Sequence, residues 1–448
     1  MIIQRKRIQH LLFIIDIVIC ILSLFAAMFL RFDEIPTKQN YIAHLKIFIP
    51  VIISWILSMY IFYLYSIDVY IPAYRLLFRM FFCYIISTGI GVSFFYIFSR
   101  QLTPKRLLLI YNSIVLVLIF VWHLTCKKIF TNKYFKNNYI FIGYSPDVKS
   151  LLEITKTKYY GNFVCSGIYD EFSKASTIKT EQELEKALKD QNIKTVVIKS
   201  NYKLTQSLSN ILLNSLANKT VFYSLPEFYE IISRKIPLGS ISDGWILNKI
   251  NKSENFLYSK IKRLTDVILS ILLLTITSPL WILASIIIPL ETKGPVIFKQ
   301  KRLGLNAKEF VLYKFRSMRV ENNTLIFTAK NDPRITRFGK ILRKTRIDEI
   351  PQLINVIKGD MSLIGPRPER PEYAKELQKQ IPFYNQRLIM RPGITGWDQV
   401  SGEYHSPTKE DTYKKLQNDL YYIKNCSLNL DFSIAMKTIA TMFMREGI

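Results

Sequence analysis

The sequence predicts a membrane protein in three parts: an α-helical N-terminal bundle, an α/β region, and a mixed α/β region that begins with a helix-break-helix. Three observations predict this order. Four long apolar runs occupy the first third of the chain, short apolar strands alternate with helical segments in the middle, and an uncharged run of 24 residues opens the last part. Hydrophobic residues make up 49% of the chain, yet the formal net charge is +27. That combination is typical of a protein at an anionic membrane surface and unusual for a soluble enzyme.

The first part, residues 1–132, is predicted to cross the membrane four times, because each apolar run is long enough to span a hydrocarbon core of about 30 Å. The runs are Leu11–Leu30, Ile47–Ile67, Met80–Phe98 and Leu107–Cys126. Basic residues precede the first run and follow the last, so both ends are predicted to be cytoplasmic, although basic residues in the third loop argue mildly for the opposite orientation. Asp16 is the one formal charge within these runs. We expect it to reach the interface or a neighbouring helix, with a functional role as the alternative.

The second part, residues 133–255, is predicted to form a parallel, doubly wound sheet, because short apolar strands alternate with amphipathic helices. The predicted strands are 138–144, 163–169, 195–200 and 220–225, and the predicted helices are 147–157, 181–190 and 204–217. The first strand is followed by Gly143-Tyr-Ser-Pro-Asp147, which lacks the further glycines that let a pyrophosphate approach a helix N-terminus. A regulatory or assembly role is therefore favoured over binding of NAD or CoA, and formation of a homodimer stays open.

The third part, residues 256–448, begins with an apolar segment, 266–290, that we interpret as a re-entrant helix. Ser278-Pro279 lies at its midpoint, where proline removes a helix hydrogen bond and forces a break. Basic residues flank the segment on both sides, so both of its ends prefer the cytoplasmic side. A segment that enters one leaflet, breaks and returns satisfies both observations. A proline-kinked helix that spans the bilayer is the alternative.

Two adjacent carboxylates, Asp348 and Glu349, follow a strongly basic stretch. Between residues 299 and 346 the chain has fourteen Lys or Arg against three acidic residues. Cations can hold a polyphosphate while one carboxylate attacks phosphorus and the other holds a metal or manages a proton. The pattern therefore favours phosphoryl chemistry. A solvated basic face with an N-capping Asp is the alternative.

Local patterns suggest roles for residues around this pair. Glu349 to Pro351 suit the first turn of a helix, which would make Asp348 the N-cap, near the positive end of the helix dipole. Arginine forks match phosphate oxygens. The predicted substrate-binding residues are Lys314, Arg316, Arg343 and Arg367, with Asp332 and Arg391 as second candidates. Lys262 and Arg263 are predicted to meet lipid headgroups or substrate phosphates.

Composition disfavours several other classes of protein. The five cysteines contain no CxxC and the four histidines are dispersed, so a disulfide framework, a zinc site and a histidine-based metal centre are not expected. Nucleic acid is the rival partner for so basic a chain. Because the apolar residues are concentrated in long runs, the lipid bilayer is favoured and no nucleic-acid partner is expected.

Ten short motifs follow one another between residues 262 and 397. They are Lys262-Arg263-Leu-Thr-Asp266, Ser278-Pro279, Gly294-Pro295-Val-Ile-Phe298, Gln300-Lys-Arg302-Leu-Gly304, Tyr313-Lys314-Phe-Arg316-Ser-Met318, Asn331-Asp332-Pro-Arg334-Ile-Thr336, Leu342-Arg343, Asp348-Glu349-Ile-Pro351-Gln352, Gly365-Pro-Arg367-Pro368 and Arg391-Pro-Gly393-Ile-Thr-Gly396-Trp397. In this order they resemble the bacterial sugar transferases, the monotopic phosphoglycosyl transferase family. With four spans and a degenerate Rossmann-like domain in front, the chain resembles the large form, the polyisoprenyl-phosphate hexose-1-phosphate transferases. Ile350 and Ala307 depart from the usual Leu and Gly and remove no reactive group.

The resemblance implies a two-step transfer. Asp348 would attack the β-phosphorus of a UDP-sugar, and undecaprenyl phosphate would take the phosphosugar from the aspartyl intermediate. Glu349 would be the partner carboxylate and metal ligand, with Mg²⁺ as cofactor. The product would begin capsule, exopolysaccharide or O-antigen synthesis at the bacterial inner (cytoplasmic) membrane, with the catalytic domain in the cytoplasm. A non-enzymatic scaffold or regulator of polysaccharide assembly is the alternative.

Overall fold

The structure is a computed structural model that describes most of the chain. It covers residues 2–62, 64–65, 73–98, 105–131, 137–156, 163–171, 173–189, 193–218, 220–250, 256–319, 332–401 and 408–444. These residues form two compact units, Met1–Phe228 and Tyr229–Ile448. Some predicted features lie outside the described residues: Ile67, Thr157 and Asp190 at the ends of predicted elements, Asn331 of one motif, and the domain boundaries at 132, 133 and 255.

Four apolar helices begin the first unit: α1 (Ile2–Phe32), α2 (Lys38–Ile61), α3 (Ala73–Phe98) and α4 (Lys105–Thr131). Each contains a stretch long and apolar enough to cross a membrane. A helix suits a bilayer because its backbone hydrogen bonds are made within one segment. The predicted N-terminal bundle of four apolar helices is therefore confirmed.

Polar side chains join these helices inside the bundle. Trp55 of α2 donates a hydrogen bond to Asn112 Oδ1 of α4 (2.8 Å), and Asn112 donates to Thr88 Oγ1 of α3 (2.9 Å). Asp16 of α1 is fully buried, and its Oδ2 lies 3.0 Å from Nε2 of His123 on α4. Asp16 therefore reaches a neighbouring helix, as predicted. Lipid tails are as apolar as the helix surfaces, so the hydrophobic effect does not drive helices together in a bilayer. Hydrogen bonds of this kind between helices contribute to their association instead.

An α/β region completes the first unit. Its elements are β1 (Asn137–Ile142), α5 (Pro146–Lys156), β2 (Phe163–Tyr169), α6 (Glu181–Lys189), β3 (Ile193–Ile198), α7 (Gln206–Ser215) and β4 (Val221–Ser224). The strands pair in the order β2-β1-β3-β4, and every pair is parallel. The parallel sheet predicted from the alternating pattern is confirmed. Ile140, Ile142 and Val196 are buried in its core, as expected for strands covered by helices on both faces.

The backbone at the carboxyl end of β1 is closely packed. Gly143 has a φ of +87°, and a Cβ placed there would lie 2.7 Å from the ring of Tyr202 and 2.8 Å from Cβ of Lys199. Both residues follow β3. These two side chains therefore pack closely against the backbone of Gly143.

Within its described residues, the second unit holds the remaining helices and four short strands. After α8 (Leu225–Ser233), within which the two units divide, the helices are α9 (Asp243–Ile250), α10 (Phe256–Ile276), α11 (Ser278–Glu291), α12 (Arg337–Lys344), α13 (Gln352–Lys358), α14 (Pro371–Gln380), α15 (Trp397–Val400), α16 (Lys409–Asn425) and α17 (Leu428–Met444). The strands β5 (Ile297–Leu303) and β6 (Glu309–Phe315) form an antiparallel hairpin, and β7 (Ser362–Ile364) pairs in parallel with β8 (Gly393–Thr395).

Helices α10 and α11 form a bent apolar pair. Their axes differ by 59°, and the break lies at Thr277, beside the predicted Ser278-Pro279. The Thr277 and Ser278 hydroxyls donate to the carbonyls of Leu273 and Thr275. The Ser278 bond satisfies the Thr275 carbonyl, to which Pro279 has no N–H to donate. Large apolar side chains on both helices stay exposed, among them Leu264, Ile268, Leu272, Ile282, Ile286 and Leu290.

One core of the second unit joins segments that are distant in sequence. Ile236 and Ile246 pack with Leu416 and Leu420 of α16, and the amide of Ile236 donates to the carbonyl of Gln417. Residues 236–250 thus pack within this unit, whereas the sequence pattern placed them in the α/β part. The physical reason is that α9 buries its apolar side against α16.

Candidate active site

The carboxylate pair lies in a short 3₁₀ turn between two helices. After α12, Arg346 adopts a left-handed conformation (φ 56°), and Ile347–Glu349 then form the turn. The amide of Ile350 donates to the carbonyl of Ile347. Pro351 has no N–H, so that carbonyl could not receive an α-helical bond from it. Helix α13 therefore begins only at Gln352, and the prediction that Asp348 is the N-cap of the following helix is wrong.

An apolar cluster packs against one side of this turn. Ile347 and Ile350 pack against Phe315 at the end of β6 and against Leu342 of α12. Ile347 and Ile350 are three residues apart, so in a 3₁₀ turn their side chains share one side. The two carboxylates between them are buried, each 9% exposed.

Two cations converge on one oxygen of Glu349. Lys314 Nζ on β6 donates to Oε1 over 3.1 Å, and Arg367 after β7 donates to the same oxygen over 3.0 Å. Burial alone would raise the pKa of Glu349, but Lys314, Arg367 and Arg346 together hold the pKa of this carboxylate far below its usual range. Glu349 is therefore ionised whenever the protein is folded near neutral pH.

Asp348 has a different environment. Burial raises the pKa of Asp348 above its ordinary value, and the negative charge of Glu349 adds to the rise, while Lys314 and Arg343 act against it. Among the described residues no group donates a hydrogen bond to its carboxylate. A carboxylate that is buried, lies near cations and accepts no hydrogen bond is suited, in its ionised form, to act as a nucleophile.

Arg343 lies on the α12 side of the pair. Its Nε donates to Ser317 Oγ over 2.8 Å, and a terminal nitrogen approaches Met318 Sδ at 2.8 Å. Burial lowers the pKa of Arg343, and Asp348 is the next largest influence. The structure therefore brings together Asp348, Glu349, Lys314, Arg343 and Arg367, five of the residues that the sequence singled out.

Three other predicted substrate-binding residues bond elsewhere. The Arg316 guanidinium donates to the carbonyls of Thr292 (2.6 Å) and Lys293 (2.9 Å) after α11. Asp332 pairs with Arg334 at 2.6 Å, and Arg391 is exposed and donates to the carbonyl of Gly359.

The two predicted headgroup ligands also have partners within the protein. Lys262 Nζ lies 2.9 Å from Asp431 Oδ2, and Arg263 donates to the carbonyls of Val356 and Ile357 at the end of α13. Arg263 therefore ties α10 to the helix that follows the carboxylate pair.

Arg346 and Arg387 are charged residues near this site that the sequence motifs did not single out. Arg346 contributes to the low pKa of Glu349. Its place in the sequence, three residues before Glu349, could have indicated that it lies near the pair. Arg387 donates to the carbonyl of Arg367 over 2.9 Å. Nothing in the spacing of residues 384–389 predicts that contact.

Apolar helices and a buried carboxylate pair with cations nearby indicate a membrane-associated protein with a site suited to phosphate chemistry. The profile of the family described as "Bacterial sugar transferase" matches residues 257–445. A UDP-glucose:undecaprenyl-phosphate glucose-1-phosphate transferase of Klebsiella pneumoniae is 32% identical over 70% of this chain and 69% of its own length. The chain belongs to the bacterial sugar transferase family, in a form that extends in front of the matched region.

Other relatives match a smaller share of the chain. A UDP-N-acetylgalactosamine-undecaprenyl-phosphate N-acetylgalactosaminephosphotransferase of Aeromonas hydrophila is 47% identical over 43% of this chain, and a UDP-glucose:undecaprenyl-phosphate glucose-1-phosphate transferase of Xanthomonas campestris pv. campestris is 42% identical over 40%. The matched region covers 45% and 37% of these two relatives, which is less than half of their length.

Proposed function

We propose that this protein transfers a sugar-1-phosphate from a UDP-sugar to undecaprenyl phosphate, through a phosphosugar intermediate on Asp348. The observation that carries the proposal is the difference in hydrogen bonding between the two carboxylates. Glu349 is hydrogen-bonded by Lys314 and Arg367, whereas Asp348 accepts no hydrogen bond from the described residues. The relatives named for this reaction support the choice of donor and acceptor.

The chemistry consists of two displacements at one phosphorus. An Asp348 oxygen attacks the β-phosphorus, the bond from that phosphorus to the bridging oxygen breaks, and UMP leaves with the electron pair. An oxygen of undecaprenyl phosphate then attacks the same phosphorus, and the bond to Asp348 breaks, which restores the carboxylate. Negative charge grows on the phosphoryl and leaving oxygens in both steps, and Lys314, Arg343 and Arg367 are placed to stabilise it.

Mg²⁺ is the cofactor we propose. Mg²⁺ binds through one or two carboxylates together with substrate phosphates, and both cations on Glu349 use Oε1, so Oε2 remains for a metal. The described residues contain no group of three His, Cys, Asp or Glu that could form a complete protein site. Glu349 would therefore hold the ion with the help of substrate oxygens. A bound Mg²⁺ would neutralise charge on the diphosphate.

The bent helix pair supports a re-entrant arrangement in the cytoplasmic membrane, with the site on the cytoplasmic face. The 59° bend and the exposed apolar side chains of α10 and α11 suit a segment that enters one leaflet and returns. UDP-sugars are cytosolic and polyprenyl phosphates lie at the membrane interface. The site must therefore be reachable from the cytosol and lie close to the membrane surface. For the α/β region we propose a regulatory or assembly role, with a homodimer left open, because Gly143-Tyr-Ser-Pro-Asp147 lacks the further glycines of a phosphate-binding turn.

The proposal is tested by nucleotide release from membrane-embedded protein with Mg²⁺ and undecaprenyl phosphate. The donor panel includes UDP-glucose and UDP-N-acetylgalactosamine, the donors in the relatives' names. We expect UMP release with one donor, and its loss in Asp348→Asn, with Asp360→Asn of the same segment as the matched control. Release of UDP, or activity in Asp348→Asn, would contradict the mechanism, and silence with every donor would favour the scaffold alternative.

A further inference from the structure

Two successive backbone carbonyls in the loop after β7 each accept a hydrogen bond from a guanidinium. Arg387 donates to the carbonyl of Arg367 over 2.9 Å, and Arg302 donates to the carbonyl of Pro368 over 3.0 Å. Proline on either side of Arg367 already restricts the backbone there. The two bonds therefore fix the peptide that carries the Arg367 side chain.

Arg387 is itself held on several sides. Its side chain is 3% exposed, lies 2.8 Å from Asp419 Oδ2 of α16 and 3.7 Å from Glu369 Oε1, and donates to the Tyr384 hydroxyl over 3.0 Å. A buried guanidinium with partners in several directions has little freedom to rotate. It therefore provides a rigid reference point for the loop.

The Arg367 side chain leads from this loop to the carboxylate pair, where it donates to Glu349 Oε1. We propose that Arg387 is a positioning residue: through the Arg367 carbonyl it sets where the Arg367 guanidinium meets Glu349 and the substrate phosphates. Arg302 assists from β5 through the neighbouring carbonyl. The inference rests on the proposed function, because its effect is on the rate of phosphosugar transfer.

Arg387→Lys is the informative substitution. Lysine keeps a positive charge beside Asp419 and Glu369, so those buried carboxylates stay compensated, but a single ammonium cannot reproduce the planar fork that reaches the Arg367 carbonyl. A displacement of about 1 Å in a positioning group can cost roughly 100-fold in rate. We expect kcat to fall by about 10- to 100-fold, while Arg370→Lys on the same loop stays near the wild-type rate.

A double-mutant cycle separates positioning from a general structural effect. If Arg387 acts through Arg367, then Arg387→Lys has no further effect on the residual rate of Arg367→Gln, because coupled residues are not additive. Full additivity, or a wild-type rate in Arg387→Lys, would overturn the inference. If Arg387→Lys does not fold, as judged by gel filtration and thermal melting, Arg302→Lys replaces it in the same cycle with the same criterion.

The separation of kcat from KM supplies a second readout. Arg367 donates to Glu349 beside the site of transfer, so a displaced Arg367 removes stabilisation of charge that grows only in the transition state. We therefore expect Arg387→Lys to lower kcat with little change in the KM for the UDP-sugar, and Arg370→Lys to change neither. An unchanged kcat per folded protein together with additivity would assign Arg387 to packing alone. A wild-type protein that is inactive with every donor would instead refute the proposed function, and this inference with it.

Discussion

Lys314 donates a hydrogen bond to Glu349 across 3.1 Å, from a β-hairpin to a turn that follows 35 residues later. The same ammonium also lowers the pKa of Asp348, against the effect of burial. One lysine therefore acts on the ionisation of both carboxylates. The pKa of Lys314 itself is lowered, because burial outweighs the opposing charge of Glu349.

Lys314→Gln should move the acidic limb of the rate profile to higher pH. Without the ammonium the pKa of Asp348, already above its ordinary value, rises further, so at a given acidic pH less of the nucleophile is ionised. We also expect kcat near neutral pH to fall by roughly 100- to 1,000-fold, the usual cost of removing one charge-stabilising donor. The measurement is UMP release as a function of pH.

The control for this prediction is Lys301→Gln. Lys301 lies on the same hairpin, is 73% exposed and pairs with Glu309 at 3.4 Å, a contact of little energetic value. Its profile should match that of the wild type. A Lys314→Gln enzyme with an unmoved acidic limb would show that Asp348 is not the group that must lose its proton.

Arg316→Gln should lower stability and leave the KM for the donor unchanged. The guanidinium satisfies the carbonyls of Thr292 and Lys293 after α11, and its side chain is buried. Loss of buried partners costs about 1–3 kcal/mol, which thermal melting in nanodiscs can detect. Exposed Arg319→Gln is the control. A raised KM at unchanged stability would instead support the substrate-binding role that the sequence motif suggests.

Regular periodicity made much of the fold predictable. The strands of the α/β region begin and end within two residues of the predicted positions, and the four apolar helices contain the predicted runs apart from the end of the second. The backbone at Ala307 explains one departure from the family pattern. It has a φ of +60°, a conformation in which glycine carries no strain, which explains why Gly is usual there.

The site was predictable in composition and less so in geometry. Asp348, Glu349 and their cations stand out by residue type, but the 3₁₀ turn depends on the left-handed Arg346 and on packing of Ile347 and Ile350. Neither is encoded in a local motif. The contact from Arg387 to the Arg367 carbonyl depends on the tertiary fold, because its donor and acceptor are 20 residues apart on separate segments.

His123→Leu should destabilise the helical bundle. It leaves Asp16 buried without its partner, and Asp16 Oδ1 already has no hydrogen-bond donor among the described residues. Leaving a buried polar group without its partner costs about 1–3 kcal/mol, whereas replacing both partners by apolar residues can be nearly neutral. The double variant Asp16→Leu/His123→Leu should therefore melt above the single variant. Exposed His10→Leu on α1 is the control, and a single variant as stable as the wild type would contradict the prediction.

Lys262→Met should loosen the bent helix pair from the C-terminal helix. Lys262 of α10 and the hydroxyl of Tyr258 both lie 2.9 Å from Asp431 Oδ2 of α17, and Tyr422 donates to Oδ1 over 2.6 Å. Two hydroxyls remain after the substitution, so we expect a loss of roughly 3 kcal/mol, the lower end for a broken buried pair. Adding Asp431→Asn removes the uncompensated charge and should recover part of that loss in thermal melting. Lys260→Met, on the exposed side of the same helix, should leave the melting temperature unchanged. The same melting temperature for all variants would mean that this ion pair does not stabilise the contact between α10 and α17.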